Sequence, residues 1–454
     1  MDNDTKPAVS GGRISTVPLQ EVNAPPAGVN GHGVAAVGER PAAAVAERPA
    51  PRFSLKTFES LKYRDYRLLW ISIVFMSGGM WMQQIAQSWL VYQMTDSPFI
   101  LGAINGVSAL PFLFLGPWAG VAADRFDRKK LMLISQAYIL VTTLVMALLI
   151  ISELVEVWHL FAFSLLSSFG WAFTQPVRQT LVPNLVPRED LVNAVALQSA
   201  GFNSTRIIGP AIAGLIIWWI GPGGAFVGKA IAYVVILGLI WMMRVPPTPA
   251  DAQRSSARHN LVEGFRYIGG NRALFSLILL AIIPMVLVMP SQTLMPVFAR
   301  DILEMDAKGY GILVSFAGIG ALTGTLIVAS LGGFKRKGLL LLCVLTALGV
   351  VLVLFSRSTW LPTSLFLMIF VGGFQMTYMS LSNTLIHLHT DDAMRGRVMS
   401  IYMLDHGLTP LGALFAGTVA QLASAPLAIT IMGASCVLLA LVALARAPVI
   451  RRLA

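Results

Sequence analysis

Gly120-Val121-Ala122-Ala123-Asp124-Arg125-Phe126-Asp127-Arg128-Lys129-Lys130 lies between two long apolar runs, 99–122 and 131–151. Each run is about as long as the twenty residues that cross a hydrocarbon core, so the charged stretch between them reads as a tight turn at one membrane face. Arg125, Arg128, Lys129 and Lys130 mark that face as cytoplasmic, because short loops rich in positive charge resist translocation. Asp124 needs a partner. A lone carboxylate at the end of a membrane helix is costly, so it is expected to pair with Arg125 or Arg128, or to lie over the positive N-terminus of a neighbouring helix.

The whole chain shares this character. Its 454 residues are 56% hydrophobic and 12% charged, about half the charged share of a soluble domain, which points to a polytopic membrane protein. The net charge of +11 is dispersed over short loops, so it reports topology and not a nucleic-acid surface. Cys343 and Cys436 both sit inside apolar runs without CxxC or Cys/His spacing, so they are expected to be small core residues, with no metal or cofactor implied. Residues 1–52, rich in Ala, Pro and Gly, are expected to form a disordered cytoplasmic tail with no cleavable leader. At 53–67, Phe53, Leu55, Phe58 and Leu61 alternate with Lys56, Lys62, Arg64 and Arg67, as in a segment lying on the membrane surface.

Twelve runs are long enough to span: 66–92, 99–122, 131–151, 158–181, 192–220 and 225–243, then 273–297, 310–331, 339–355, 360–386, 398–420 and 427–445. The even-numbered connections carry the basic residues, and the odd ones are acidic, mixed or nearly uncharged. That alternation places both termini in the cytoplasm. The longest connection, 244–272, opens with Pro246-Pro247-Thr248-Pro249 and continues with Leu261, Phe265 and Ile268 at helical spacing, so it is expected to be a linker ending in a surface helix. It divides a bundle at 53–243 from one at 273–446, with a short tail at 447–454. The two halves echo each other: Pro210 and Pro410 fall in equivalent fifth helices, and Lys335-Arg336-Lys337 stands where Arg128-Lys129-Lys130 stands in the first half.

The pattern Gly-x-x-x-Asp-Arg-x-x-Arg-Lys-Lys, with Gly120, Asp124, Arg125, Arg128 and Lys129, resembles the signature loop of the major facilitator superfamily. Asp127 departs from it, standing where a second Gly is usual. The resemblance extends from about residue 53 onward and implies an all-α integral membrane fold of two pseudo-symmetric six-helix bundles, with the substrate path between them. It also implies that Asp124 bridges to the start of the eleventh helix, Asp392 to Arg397 with its Arg395-Gly396-Arg397, and that Asp124 with Arg128 is a conformational latch holding the outward-open state. On the fifth helix Gly209, Pro210 and Gly214 resemble an exporter element, with Ala213 in place of a Gly; Gly and Pro are also frequent in membrane helices generally. The tracts Gln175-Pro176-Val177-Arg178-Gln179, Pro187-Arg188-Glu189-Asp190-Leu191 and 391–400 are similar to turns of the drug:proton antiporter branch, which includes macrolide and siderophore exporters. There Arg178 and Arg395 would form gating ion pairs with Glu189, Asp190 and Asp392; the plainer reading is inside-positive charge with its counterions.

Ionisable groups in apolar runs are few. Asp405 and His406 lie roughly 12 Å from the cytoplasmic edge of helix 11 and are candidates for proton uptake and relay, with Arg206 as a buried cation that holds an anion or tunes Asp405. Lys229, near a helix end, is expected to snorkel. Gln83, Gln87, Gln175, Arg206, Gln375 and Tyr378, among Met80, Met82, Met376 and Met379, suit a pocket for amphipathic molecules, or else hydrogen-bond one helix to another. His387 and His389 read as a solvated helix end. No nucleophile elbow, metal set or phosphate loop stands in a plausible frame, so no enzyme is expected. The expected activity is export of a small drug or siderophore-like molecule by a functional monomer, with protons and the lipid bilayer as its other partners. The alternatives are an uncoupled facilitator or lipid flippase, and a receptor or scaffold that does not transport.

Overall fold

Hydrocarbon offers a backbone no hydrogen bonds, so a spanning segment has to satisfy its own, and helices do so within one segment. The computed structural model describes residues 58–245, 257–330, 334, 336–451 and 453, and every regular element there is helical. The expected tail at 1–52, the start of the surface segment at 53–57, Pro246 to Pro249 of the linker, and Lys335 lie outside the described residues. Before the linker come α1 (Arg64–Thr95), α2 (Pro98–Arg125), α3 (Arg128–Ile151), α4 (Val157–Leu185) and α5 (Leu191–Met242); α6 (Ala257–Gly270) is the linker helix. After it come α7 (Arg272–Leu287), one-turn α8 (Met295–Val297), α9 (Ala307–Ser330), α10 (Lys337–Ser356), α11 (Leu361–Leu388), α12 (Arg395–Met403), α13 (Thr409–Leu422), α14 (Ala425–Arg446) and short α15 (Pro448–Arg451).

Among the described residues nine helical segments are long and apolar enough to cross a membrane, against twelve expected. Three local causes account for the difference. α5 joins the runs 192–220 and 225–243 through Gly221, whose φ of 77° and ψ of 174° break the helix where only glycine is unstrained. Much of the run 99–122 in α2 lies outside the residues whose side chains are described. The run 398–420 is not one helix: a 3-10 stretch at Leu404–Leu408 separates α12 from α13, with Pro410 in the first turn of α13, where its missing N–H costs nothing. Prolines also fragment the seventh run. After α7 the chain passes through a 3-10 stretch at Met289–Leu294 holding Pro290, then Pro296 in α8, then a π turn at Phe298–Ile302.

Helices α1, α3, α4 and α5 pack chiefly within the first group, α7, α9, α10, α11 and α14 chiefly within the second, and α12 lies mainly on α6. Two seams join the groups, α5 on α9 and α2 on α13. Both are lined with residues that lack bulk. A Cβ on Gly214 would lie 2.6 Å from the Ala307 carbonyl oxygen, and one on Gly417 would lie 2.5 Å from that of Pro98. These backbones therefore touch directly, as small residues allow in lipid. The seams favour the end of the bundle opposite the basic hairpin, hereafter the far end.

The apolar core is unequal between the two ends. One cluster runs from Ile85, Tyr92, Leu101 and Phe226 straight into Leu294, Phe298, Tyr310 and Ala416 of the other group. A second, separate cluster of Tyr66, Ile73, Met132, Leu181, Tyr233 and Met243 belongs to α1 to α5 at the basic end. The core is thus continuous across the groups at the far end and divided at the basic end. Cys436 is buried with its Sγ toward the Leu345 carbonyl, but Cys343 is exposed on the helix surface and is not the core residue expected.

Candidate functional site

A cavity of about 320 Å³ lies among α1, α2 and α4, lined by Gln83, Gln84, Gln87, Asn105, Ser164, Ser167 and Gln175 with Met80, Leu101, Ile104 and Trp171. That is the low end of the range for small-molecule sites, with the usual mixture of an apolar lining and a few polar groups. Three of the expected pocket residues, Gln83, Gln87 and Gln175, are on its wall. Helical geometry explains the first two, since residues four apart share a face.

Its polar wall is a directed chain of hydrogen bonds. The Lys229 ammonium donates to Gln83 Oε1, and the Ser167 hydroxyl donates to the same oxygen at 3.3 Å. Gln83 Nε2 then donates to Gln87 Oε1 at 3.2 Å, and Gln87 Nε2 donates to Ser164 Oγ. Lys229 does not snorkel. It is fully buried, with its Nζ 5.6 Å from the centre of the Phe163 ring and 5.2 Å from that of Tyr233. Its phase along the helix explains this: Phe226 and Tyr233, three before and four after it, are buried core residues, whereas Ile231 and Val234 face outward. That spacing was the available signal for an inward-facing cation. Ser164 and Ser167 carried no signal beyond being hydroxyls in an apolar run.

The other expected pocket residues lie elsewhere. Tyr378 is a core residue, its hydroxyl donating to the Leu280 carbonyl at 2.7 Å. Gln375 is buried at the junction of the two groups, where its Oε1 accepts from Arg206 Nη2 and Gln292 Nε2, both at 3.4 Å. Arg206 also lies over the Trp81 ring at 5.9 Å, so it bridges α5 to α1 and α11. The side chains of Asp405 and His406 lie outside the described residues. Pro210 and Gly214 lie on the α5–α9 seam, with the Pro210 carbonyl against Gly311, whereas Gly209 faces Trp81 of α1.

At the basic end the side chains of Gly120, Asp124 and Arg125 lie outside the described residues. Asp127, the departure from the signature, is the N-cap of α3 and accepts from Lys130 N at 2.8 Å. Lys129 donates to the last carbonyls of α5, Trp241 at 2.8 Å and Met243 at 2.7 Å. The expected gating pairs divide. Arg395 pairs with Asp392 at 2.5 Å within one turn, and Arg397 pairs with Glu263 of α6 at 2.7 Å. Arg178 does not reach Glu189 or Asp190. It is buried near the C-terminal end of α4 and donates to Gln175 Oε1 at 2.7 Å. Glu189 is exposed, and Asp190 instead holds the segment before α1, accepting from Tyr63 at 2.7 Å and pairing with Lys62 at 3.0 Å. Those bonds raise the Lys62 ammonium and the Tyr63 phenol above their ordinary titration ranges. His389 packs its Nδ1 against the Leu385 carbonyl, and no group of three potential ligands stands together among the described residues.

The far end carries a cluster that the sequence reading passed over. Arg300 pairs with Asp96 at 2.6 Å, Tyr92 donates to Asp301, Trp89 stacks on Tyr310 at 6.0 Å, and Ser97 donates to Gln421 at 2.8 Å. Each contact joins α1 or α2 to the second group.

Comparison with known proteins gives a consistent picture. The family model described as transmembrane secretion effector matches residues 55–452. The chain is 26% identical to the staphyloferrin A transporter of Staphylococcus aureus over 80% of this chain and 91% of that protein. It is also 26% identical to the macrolide efflux protein A of Streptococcus pyogenes, over 62% of this chain and 69% of that one. In fold it is similar to the crystal structure of a nucleoside transporter, with a TM-score of 0.67 at 15% identity, covering 84% of this chain and 99% of the other.

Proposed function

Because the chain belongs to the transmembrane secretion effector family, a branch of the major facilitator superfamily, we propose that it is a secondary active exporter moving a small amphipathic molecule out of the cytoplasm by alternating access. It is a multi-pass membrane transporter and not an enzyme. The finer reading takes all twelve apolar runs as crossings, arranged in two six-helix halves with both termini and the basic end in the cytoplasm. The alternation of loop charge supports it.

One observation carries the proposal. The cavity sits among helices whose core is fused to the other half at the far end and separate from it at the basic end, so the state captured is one loaded from the cytoplasm. Closing the basic end and parting the two small-residue seams at the far end would release cargo outward. In that second state Asp124, with Arg128 beside it in the latch, would bridge to the start of the eleventh helix at Asp392 to Arg397, and Arg397 would leave Glu263. The relatives, a staphyloferrin A transporter and a macrolide efflux protein, support a siderophore- or macrolide-like cargo. Proton antiport through Asp405, with His406 and Arg206 beside it in sequence register, is the coupling proposed, because a carboxylate deep in an apolar run is expensive unless it binds a proton. The transporter acts as a monomer in this reading.

The test is substrate flux in reconstituted vesicles with the interior pH followed together, for wild type and Asp405→Asn. Substrate-dependent proton movement that disappears in the variant is the expected result. Flux without proton movement, unchanged in the variant, would replace antiport by an uncoupled facilitator or flippase, and no flux of any amphipath would leave a receptor or scaffold.

A further inference from the structure

The chemistry of the cavity wall narrows the cargo. Two buried cations stand directly behind that wall, and each is bound to the amide oxygen of a glutamine lining it: Lys229 to Gln83, and Arg178 to Gln175. Among the described residues no carboxylate contacts either cation, and Arg178 Nε and Nη1 are buried without a partner. An ammonium or a guanidinium can only donate. The orientation of each amide is therefore fixed by charge: oxygen toward the cation, hydrogens away from it.

The consequence propagates along α1 and α4. With its oxygen held by Lys229 and Ser167, Gln83 has only donors left, and it gives one to Gln87 Oε1. Gln87 in turn gives one to Ser164 Oγ, which leaves the Ser164 hydroxyl hydrogen pointing onward. The oxygens of Gln83 and Gln87 are thus taken up in sequence, and the donor hydrogens left over belong to side chains that line the cavity. On the α2 wall Asn105 spends an amide hydrogen on the Leu101 carbonyl at 2.9 Å and keeps its oxygen, so the donor face is confined to α1 and α4. Uncompensated positive charge in a low-dielectric wall also favours an anion in front of it.

We infer that the α1–α4 face of this cavity is a carboxylate-binding subsite, and that Lys229 is its positioning residue, acting through Gln83 without touching the cargo. The inference rests on the exporter reading for the identity of the site as a cargo site, but its test needs no transport. A matched pair of fluorescent amphipaths, dansylglycine and dansyl-ethylenediamine, is titrated against the full-length protein in detergent micelles, with binding read by anisotropy. Wild type is expected to bind the carboxylate about tenfold or more tighter than the amine, the difference that charge-assisted hydrogen bonds supply. Lys229→Met should bring the ratio to about one, while Lys229→Arg keeps most of it.

Gln83→Glu guards against a folding artefact. It gives Lys229 a carboxylate of its own and removes the donors, so the protein should stay monodisperse and thermally stable yet lose its preference for the anion. A ratio near one in wild type, preference for the amine, failure of the carboxylate to bind, or an unchanged ratio in Gln83→Glu would each overturn the proposal. Carboxylate binding without flux in vesicles would overturn the exporter reading alone, whereas flux of amines with no carboxylate binding would overturn this one alone.

Discussion

Asp127 shows what one residue does at the hairpin. Its carboxylate accepts from Lys130 N, satisfying one of the orphan donors at the start of α3, and its negative charge lies at the positive end of the helix. Asp127→Ala is expected to cost about 1 kcal/mol, read as a fall in the midpoint of thermal unfolding of the solubilised protein, while Asp127→Asn keeps most of the cap. Equal loss in both variants would show that charge and not capping is at work. The sequence marked Asp127 only as a departure from a pattern, although an acid directly ahead of a helical run is a legible cap. Gln375 was legible in kind and not in place. A glutamine in a membrane helix must find partners, but whether they are a cargo or Arg206 and Gln292 is decided by tertiary contacts that no local pattern encodes.

Between the residue and the molecule stands the α5–α9 seam, where the carbonyls of Arg206, Pro210 and Ala307 approach glycines of the opposite helix. Contact of this kind is made by dispersion and is lost when the backbones separate by even a methyl group. Gly214→Val should therefore hold α5 and α9 apart and lower flux about tenfold or more, without preventing insertion. Gly238 is a control on the same element, since a Cβ there meets nothing within 4 Å, and Gly238→Ala should transport as wild type. Equal flux in Gly214→Val and Gly238→Ala would mean that the seam does not take part in the cycle. The helix-5 motif was readable as small residues beside a proline; its partner helix was not. Pro210 and Pro410 occupy equivalent positions in the repeat, yet α5 continues past the first while a 3-10 stretch precedes the second, since the chain before Pro410 yields at Leu404–Leu408. Equivalent sequence positions do not impose equivalent strain.

At the scale of the whole molecule the question is how a closed far end opens again. The Arg300–Asp96 pair is largely exposed, at 40% and 71%, and an exposed ion pair contributes at most about 1 kcal/mol. The other polar and ring contacts of that cluster are a ring stack and single hydrogen bonds, each weak enough to exchange for an alternative set of similar energy, as the proposed alternation between two states requires. The apolar runs made a helical membrane bundle legible, because hydropathy along the chain is a one-dimensional property. The state of the bundle was not, since it depends on which of two packings the halves adopt. If the far end has to open for release, tying it shut should stop the cycle without disturbing loading. Cysteines at Ser97 and Gln421, whose side chains now hydrogen-bond across the seam, can be joined by a short bis-maleimide in a chain carrying Cys343→Ala and Cys436→Ala. The joined protein should lose flux to background and still bind probe from the basic end, whereas each single-cysteine variant treated alike should turn over normally. Normal flux in the joined protein would mean that release does not pass between α2 and α13, and the rocking of two halves would have to give way to a path within one of them.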